Sequence, residues 1–238
     1  LKPLRDNAFE AFSVKGFPTT KLEEWRFTNV SPFLKEDFRL QPGAASLHKL
    51  HNVVHIPSLD AYEVVLKNCM LNEDVNIPGV KILPLRTALK NDDLKPYLGK
   101  RINLQKHPFA ALNTALFENG IVIEAEKNSV CDKPIHITHV YNAEEAVFIQ
   151  PRILIIAHRG SKIQIVESVV VIGNKPLFVN SVTECYVAEN AQADQYNLQI
   201  APSNAHLVNF NKTVQQSNSL YNNHTYILPD ASLVRNNL

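Results

Sequence analysis

PFAALNTALFENGIVIEAEKNSVCDKPIHI, residues 108 to 137, decides how this chain is read. Its first half has helical spacing, with Leu112 and Leu116 four residues apart. Its second half changes period: Ile121–Ile123 and Ile135–Ile137 read as strand, separated by the turn-like EKNS. Upstream the chain is mixed and largely helical, whereas downstream almost every segment is a short strand.

Downstream, strands are expected at 121–125, 135–140, 152–157, 163–171, 178–188, 195–200, 207–214 and 224–228. Alternation is visible in several of them. Ile135 and Ile137 share one face while His136 and Thr138 take the other; Tyr196, Leu198 and Ile200 oppose Gln195, Asn197 and Gln199. Turn-like KNS, RGS and ENA recur at Lys127, Arg159 and Glu189, roughly one solenoid turn apart. Two-residue hairpin signals are missing between most of these strands, as expected where strands wind in parallel. The fold class expected is mainly β: a right-handed parallel β-helix (β-solenoid) core over residues 108–238, preceded by a mixed, largely helical domain over 1–107. A β-sandwich fits the same spacing less well. The segment around Ala111–Phe117 is expected to cap the open apolar end of the solenoid.

Upstream, Leu4, Ala8, Phe9 and Phe12 predict an amphipathic helix that Gly16 and Pro18 stop. Thr20 followed by Glu23 has the capping-box pattern before Trp25, the only tryptophan, which reads as a buried anchor. Ser46 could cap a helix over 47–55, on which His48, His51 and His55 would share one face. A helix is expected over 85–98, after the apolar runs YEVVL and GVKILPL.

Composition excludes several functions. Hydrophobic residues make up 45% and charged residues 20%, and the net charge is +1. With no basic block, nucleic acid is not an expected partner. No apolar run reaches the length of a membrane span, and the N-terminus has no signal-peptide pattern. Three widely spaced cysteines, Cys69, Cys131 and Cys185, point to a reducing, cytoplasmic setting rather than a disulfide framework. The chain starts without Met and stops in the strand-like SLVRNNL, which reads as part of a longer protein; in isolation, an uncovered solenoid end would be expected to pair with a second copy.

Candidate chemistry is sparse. There is no phosphate-binding glycine loop, G-x-S-x-G, H-E-x-x-H or C-x-x-C. His136 and His139 face opposite sides of a strand and cannot share a ligand. Cys131 and Cys185 read as structural thiols, although a solenoid could bring either to His206 or Glu184. Arg152, Glu167 and Glu184 are expected to point outward; if they point inward, they need partners. The His48, His51, His55 stripe is a weak metal candidate without a completing carboxylate or thiol. Aspartates are too few for the acidic cluster of a solenoid enzyme acting on carbohydrate. No catalytic, cofactor-binding or metal residue is therefore assigned.

Five segments, in order, resemble the SufD family, scaffold subunits of the SUF iron–sulfur cluster assembly machinery: GFPTTKLEEWRFT (16–28), FAALNTALFENGIVIEAEKNSVCDKPIHI (109–137), PRILIIAHRGSKIQIVES (151–168), FVNSVTECYVAENAQADQYNLQ (178–199) and ASLVRNNL (231–238). ALNTALFENG resembles SufD more than its paralogue SufB. The resemblance implies a non-catalytic subunit that pairs with a SufB-like paralogue and a SufC-like ATPase. It implies no cofactor bound by this chain alone, the iron–sulfur cluster being assembled transiently by the full complex. The family's histidine proposed as a cluster ligand lies in a later region with no matching position before Leu238.

Overall fold

The computed structural model describes residues 1–40, 56–71, 73, 75–228 and 233–237. The expected 47–55 helix, with His48, His51 and His55, lies outside the described residues.

Two facing sheets wind into a β-solenoid of about four turns. One sheet contains β1 (Tyr62–Lys67), β2 (Met70–Leu71), β5 (Ile135–Ala143), β8 (Lys162–Gly173), β10 (Gln192–Gln199) and β12 (Leu220–Ile227), in the order β12-β10-β8-β5-β1-β2. The other contains β3 (Val80–Pro84), β4 (Gly120–Ala125), β7 (Arg152–Ala157), β9 (Leu177–Val187), β11 (Ala205–Gln215) and β13 (Leu233–Asn237), in the order β13-β11-β9-β7-β4-β3, with β6 (Val147–Ile149) beside β9. From β7 onward successive strands of the chain alternate between the sheets, and within each sheet these strands pair in parallel. The expected strands are present, most of them longer than their apolar patterns suggested. Strands β1 and β3 precede residue 108 and still belong to these sheets: β1 pairs in parallel with β5, and β3 pairs antiparallel with β4.

The recurrent turns are the solenoid's corners. Asn128, Gly160, Asn190 and Asn218 all adopt positive φ, between 54° and 69°. Each backbone N–H of the first three donates to a carbonyl in the next corner: Asn128 to Arg159, Gly160 to Glu189, Asn190 to Ser217. Asparagine and glycine recur here because the left-handed conformation costs other side chains about 1–2 kcal/mol.

Apolar residues fill the early turns. Ile121, Ile123, Ile135, Ile137, Ile153, Ile155, Ile163 and Ile165 are all buried in one cluster between the sheets. The outer face of the β4–β7–β9–β11 sheet is covered too. Helix α1 (Lys2–Lys15), α2 (Leu85–Ala88) and α3 (Pro108–Leu116) lie over it. Ala8 and Ala11 of α1 meet Ala110, Ala111 and Ala115 of α3, and these small side chains let the two helices approach closely. Phe9, expected on the buried stripe of α1, is exposed. The helix expected over 85–98 is only α2 and a single 3-10 turn, Lys95–Tyr97. The segment Glu23–Trp25 is likewise one 3-10 turn with no side-chain cap, but Trp25 is buried as expected.

Helix α3 does not cap the end of the solenoid, contrary to the expectation for Ala111–Phe117. It packs on the flank, because the outward residues of β9 and β11 there (Phe178, Val182, Val208, Phe210) form an apolar bed for Phe109, Leu112 and its alanines. The edge of β4 is covered instead by the antiparallel strand β3.

Candidate functional site

Two polar constellations lie inside this fold. The first anchors α3 and the preceding loop to the solenoid wall. Arg152 and Glu184 were expected to face outward into solvent; they do face away from the solenoid interior, but both are fully buried beneath the helical layer. Their alternation was readable, but the cover over that face was not. Arg152 Nη2 donates to Glu184 Oε1 at 2.5 Å, and Arg152 Nη1 donates to Asn113 Oδ1 and Thr114 Oγ1 at 3.0 and 2.9 Å. Both Glu184 oxygens accept the backbone N–H of Gly99 at 2.9 Å. Asn113 Nδ2 donates to the carbonyls of Pro151 and Asn180, and Asn180 Nδ2 donates to the Phe109 carbonyl. Within the ALNTALFENG stretch, Asn113 and Thr114 thus hold the helix in place.

The second constellation is the solenoid interior itself. Its lining changes along the axis. In strand register, Ile135 and Ile165 are followed by Gln195 and Asn223, and Ile137 by Glu167, Asn197 and Thr225. On the facing sheet, Ile121 and Ile153 are followed by Thr183 and Asn211, and Ser181 by Asn209 and Asn236. Between the later turns lies a half-open cavity of about 80 Å³, lined by Glu167, Gln195, Asn197, Asn209, Asn211 and Asn223 among others. A hydrogen-bonded row crosses it. His139 Nε2 meets Glu167 Oε2 at 2.8 Å, Gln195 Nε2 donates to Glu167 Oε1 at 2.6 Å, and Tyr221 OH donates to Gln195 Oε1 at 2.7 Å. Asn211 Nδ2 donates to Tyr221 OH, and Asn197 Nδ2 to Asn223 Oδ1. Glu167, expected outward, points inward and is 9% exposed. Burial raises the Tyr221 hydroxyl to about 12.

The thiols are not brought to the partners considered from sequence. Cys185 lies inside, between Ile155 and Thr213 in register. His206 is on the outer face of β11, stacked on Phe33 at 4.6 Å. Burial pushes the thiols of Cys69 and Cys185 far up. Cys131 sits in a corner with its thiol donating to the Lys133 carbonyl. His136 and His139 do face opposite sides: His136 meets Glu63 and Ser168 on the outer face. Among the described residues, no group of three His, Cys, Asp or Glu side chains is arranged to hold a metal. Sequence reasoning missed the polar interior; its signal is the density of Asn and Gln in QADQYNLQ, HLVNFNKTVQ and LYNNHTYI.

Comparison with known proteins follows the same order along the chain. A family model described as the SufBD protein N-terminal region matches residues 1–137, and one described as the SufBD core domain of SUF system FeS cluster assembly matches 139–238. An iron-sulfur cluster assembly SufBD family protein of Synechocystis sp. is 25% identical over 205 residues, covering 79% of this chain and 45% of that protein. A similarly named protein of Arabidopsis thaliana is 31% identical over 123 residues, covering 50% of this chain and 26% of its own length. One from Pyropia yezoensis is 26% identical over 161 residues, covering 67% and 32%. The matched stretch is less than half the length of each of these relatives.

Proposed function

Because the chain belongs to the SufBD family of SUF-system iron–sulfur cluster assembly proteins, we propose that it is a scaffold subunit of the SufD type, not an enzyme, which pairs with a SufB-like paralogue and works with a SufC-like ATPase. The observation that carries this reading is the unbroken succession of the two matched regions over one solenoid with its helical cover. The SufD assignment rests on ALNTALFENG, whose polar residue Asn113 ties α3 to β7 and β9. The buried charges of the first constellation support the scaffold reading: Arg152 and Glu184 are consumed in holding the wall together, with no substrate-facing role. In this reading the iron–sulfur cluster is cargo of the assembled complex. A long parallel solenoid suits that task because its outer faces are broad and set by register rather than by flexible loops.

Co-expression with a SufB-like and a SufC-like subunit tests the proposal. A full-length version of the protein should co-elute with both in size-exclusion chromatography at micromolar concentration. A folded full-length version that elutes alone beside both partners at that concentration overturns it.

A further inference from the structure

We propose that Ser168 is an activated nucleophile on the outer face of the solenoid, a site that takes up an acyl group from activated esters and thioesters, with His136 as its base and Glu63 positioning the ring. This adds a covalent modification site to the protein and does not rest on the scaffold reading.

The three side chains come from three adjacent strands. Glu63 on β1 lies opposite His136 on β5 in register, and Ser168 on β8 lies opposite Thr138, which shares the face of His136. They form one line across the sheet: His136 Nδ1 is 2.7 Å from Glu63 Oε2, and His136 Nε2 is 2.8 Å from Ser168 Oγ. An ionised carboxylate only accepts, so Nδ1 carries the proton directed at Glu63. In the neutral ring this leaves the Nε2 lone pair facing Ser168, whose hydroxyl donates to it. A hydroxyl within hydrogen-bond reach of a base that a third group orients is the arrangement that makes serine reactive.

Exposure selects the hydroxyl. Thr138 Oγ1 stands 3.4 Å from the same nitrogen, but Thr138 and His136 are both 0% exposed. Ser168 is half-buried, so a reagent reaches its Oγ while the ring behind it stays out of water. Val166 and Val170 on the same strand, and Leu198 opposite Ser168 on β10, are half-buried too, and Tyr226 opposite Leu198 is 50% exposed. This apolar surround suits a hydrocarbon acyl group rather than a charged one. In the reaction, Ser168 Oγ bonds to the acyl carbon while its proton passes to His136 Nε2. The bond from that carbon to the ester oxygen or thioester sulfur breaks, and the leaving group departs with its electron pair and, where basic enough, with the proton from the ring.

The test mixes p-nitrophenyl acetate with the folded protein at mildly alkaline pH. A burst of about one equivalent of p-nitrophenolate per chain is expected, with one acetyl group gained by intact mass and placed on Ser168 by peptide mapping. Ser168→Ala should abolish the burst and keep the melting temperature. Glu63→Gln should slow the burst by about tenfold or more at full amplitude and unchanged melting temperature, a loss of rate alone that a structural role does not give. If either variant does not fold, the position of the acetyl group in the wild-type protein decides. No burst, acetylation centred on other residues, or a burst that survives in folded Ser168→Ala overturns the inference and leaves these residues as a cross-strand ladder. A wild-type burst rate in folded Glu63→Gln overturns the role given to Glu63.

Discussion

Replacing Arg152 by Met should be among the most damaging single changes in this protein, and the structure shows how large the effect should be. Both members of the Arg152–Glu184 pair have fully buried side chains. In Arg152→Met, Glu184 keeps only the Gly99 N–H, and the acceptors on Asn113 and Thr114 lose their donor. Leaving a buried charge without its partner costs about 3–5 kcal/mol. Glu184→Leu should cost a similar amount, because it strands the guanidinium. The double variant removes both charges and leaves only neutral orphans, each worth about 1–3 kcal/mol. It should therefore cost clearly less than the sum of the two singles, with a coupling of at least about 2 kcal/mol. Urea unfolding followed by circular dichroism measures this: at a slope of about 3 kcal/mol/M, Arg152→Met shifts the midpoint down by ~1–1.7 M. A single-variant cost below about 1 kcal/mol, or strict additivity in the cycle, would show that the pair is solvated and that α3 is not anchored through it.

Leu112→Asp should destabilise the whole chain by about 3 kcal/mol or more, since Leu112 is buried among Phe109, Trp25 and Phe178; unchanged thermal unfolding would refute the role given to α3. Gly120→Ala should be poorly tolerated, because a Cβ there would lie 1.9 Å from the Arg152 carbonyl oxygen in the neighbouring strand; wild-type melting would contradict the register of β4 with β7. Burial predicts that Ellman's reagent titrates Cys131 in the native protein, while Cys69 and Cys185 react only in denaturant. Burial also lowers the His206 and His107 imidazoles below 6.5, so the unfolded chain binds the extra protons. Their contribution to stability is complete above that value and is lost as pH falls below it; His206→Phe, stacked on Phe33, should flatten the acid limb of a stability–pH curve, and an unaltered limb would exclude this residue as a cause.

The fold was legible because two signals repeat. Positive-φ corners demand Asn or Gly, and EKNS, HRGS and AENA display that demand in the sequence. Parallel strands without hairpin turns then leave a solenoid as the simplest winding. What period two cannot show is which side of a strand is covered. Arg152 and Glu184 were expected in water because charged residues usually are; helices contributed by residues far away in the chain cover that face. The same blindness applies to β10. The alternation of Gln195, Asn197 and Gln199 against Tyr196 and Leu198 was plain, yet the structure turns the amides inward and leaves the apolar set partly exposed. The SufBD resemblance was carried by whole segments, so it survived these local reversals.

That reversal gives the two halves of the interior different work. Between the early turns, isoleucine stacks on isoleucine, and a slip of one residue along a strand would expose its apolar set, so burial itself enforces register. Between the later turns, burial supplies much less. There, Asn197 bonds to Asn223, Ser181 to Asn209, and Asn209 to Asn236, each across neighbouring strands of the same sheet. Such bonds are each worth about 1 kcal/mol net, so the ladder adds little stability over an apolar core. Its effect is discrimination: any shift in register breaks several bonds at once and leaves buried amides unsatisfied.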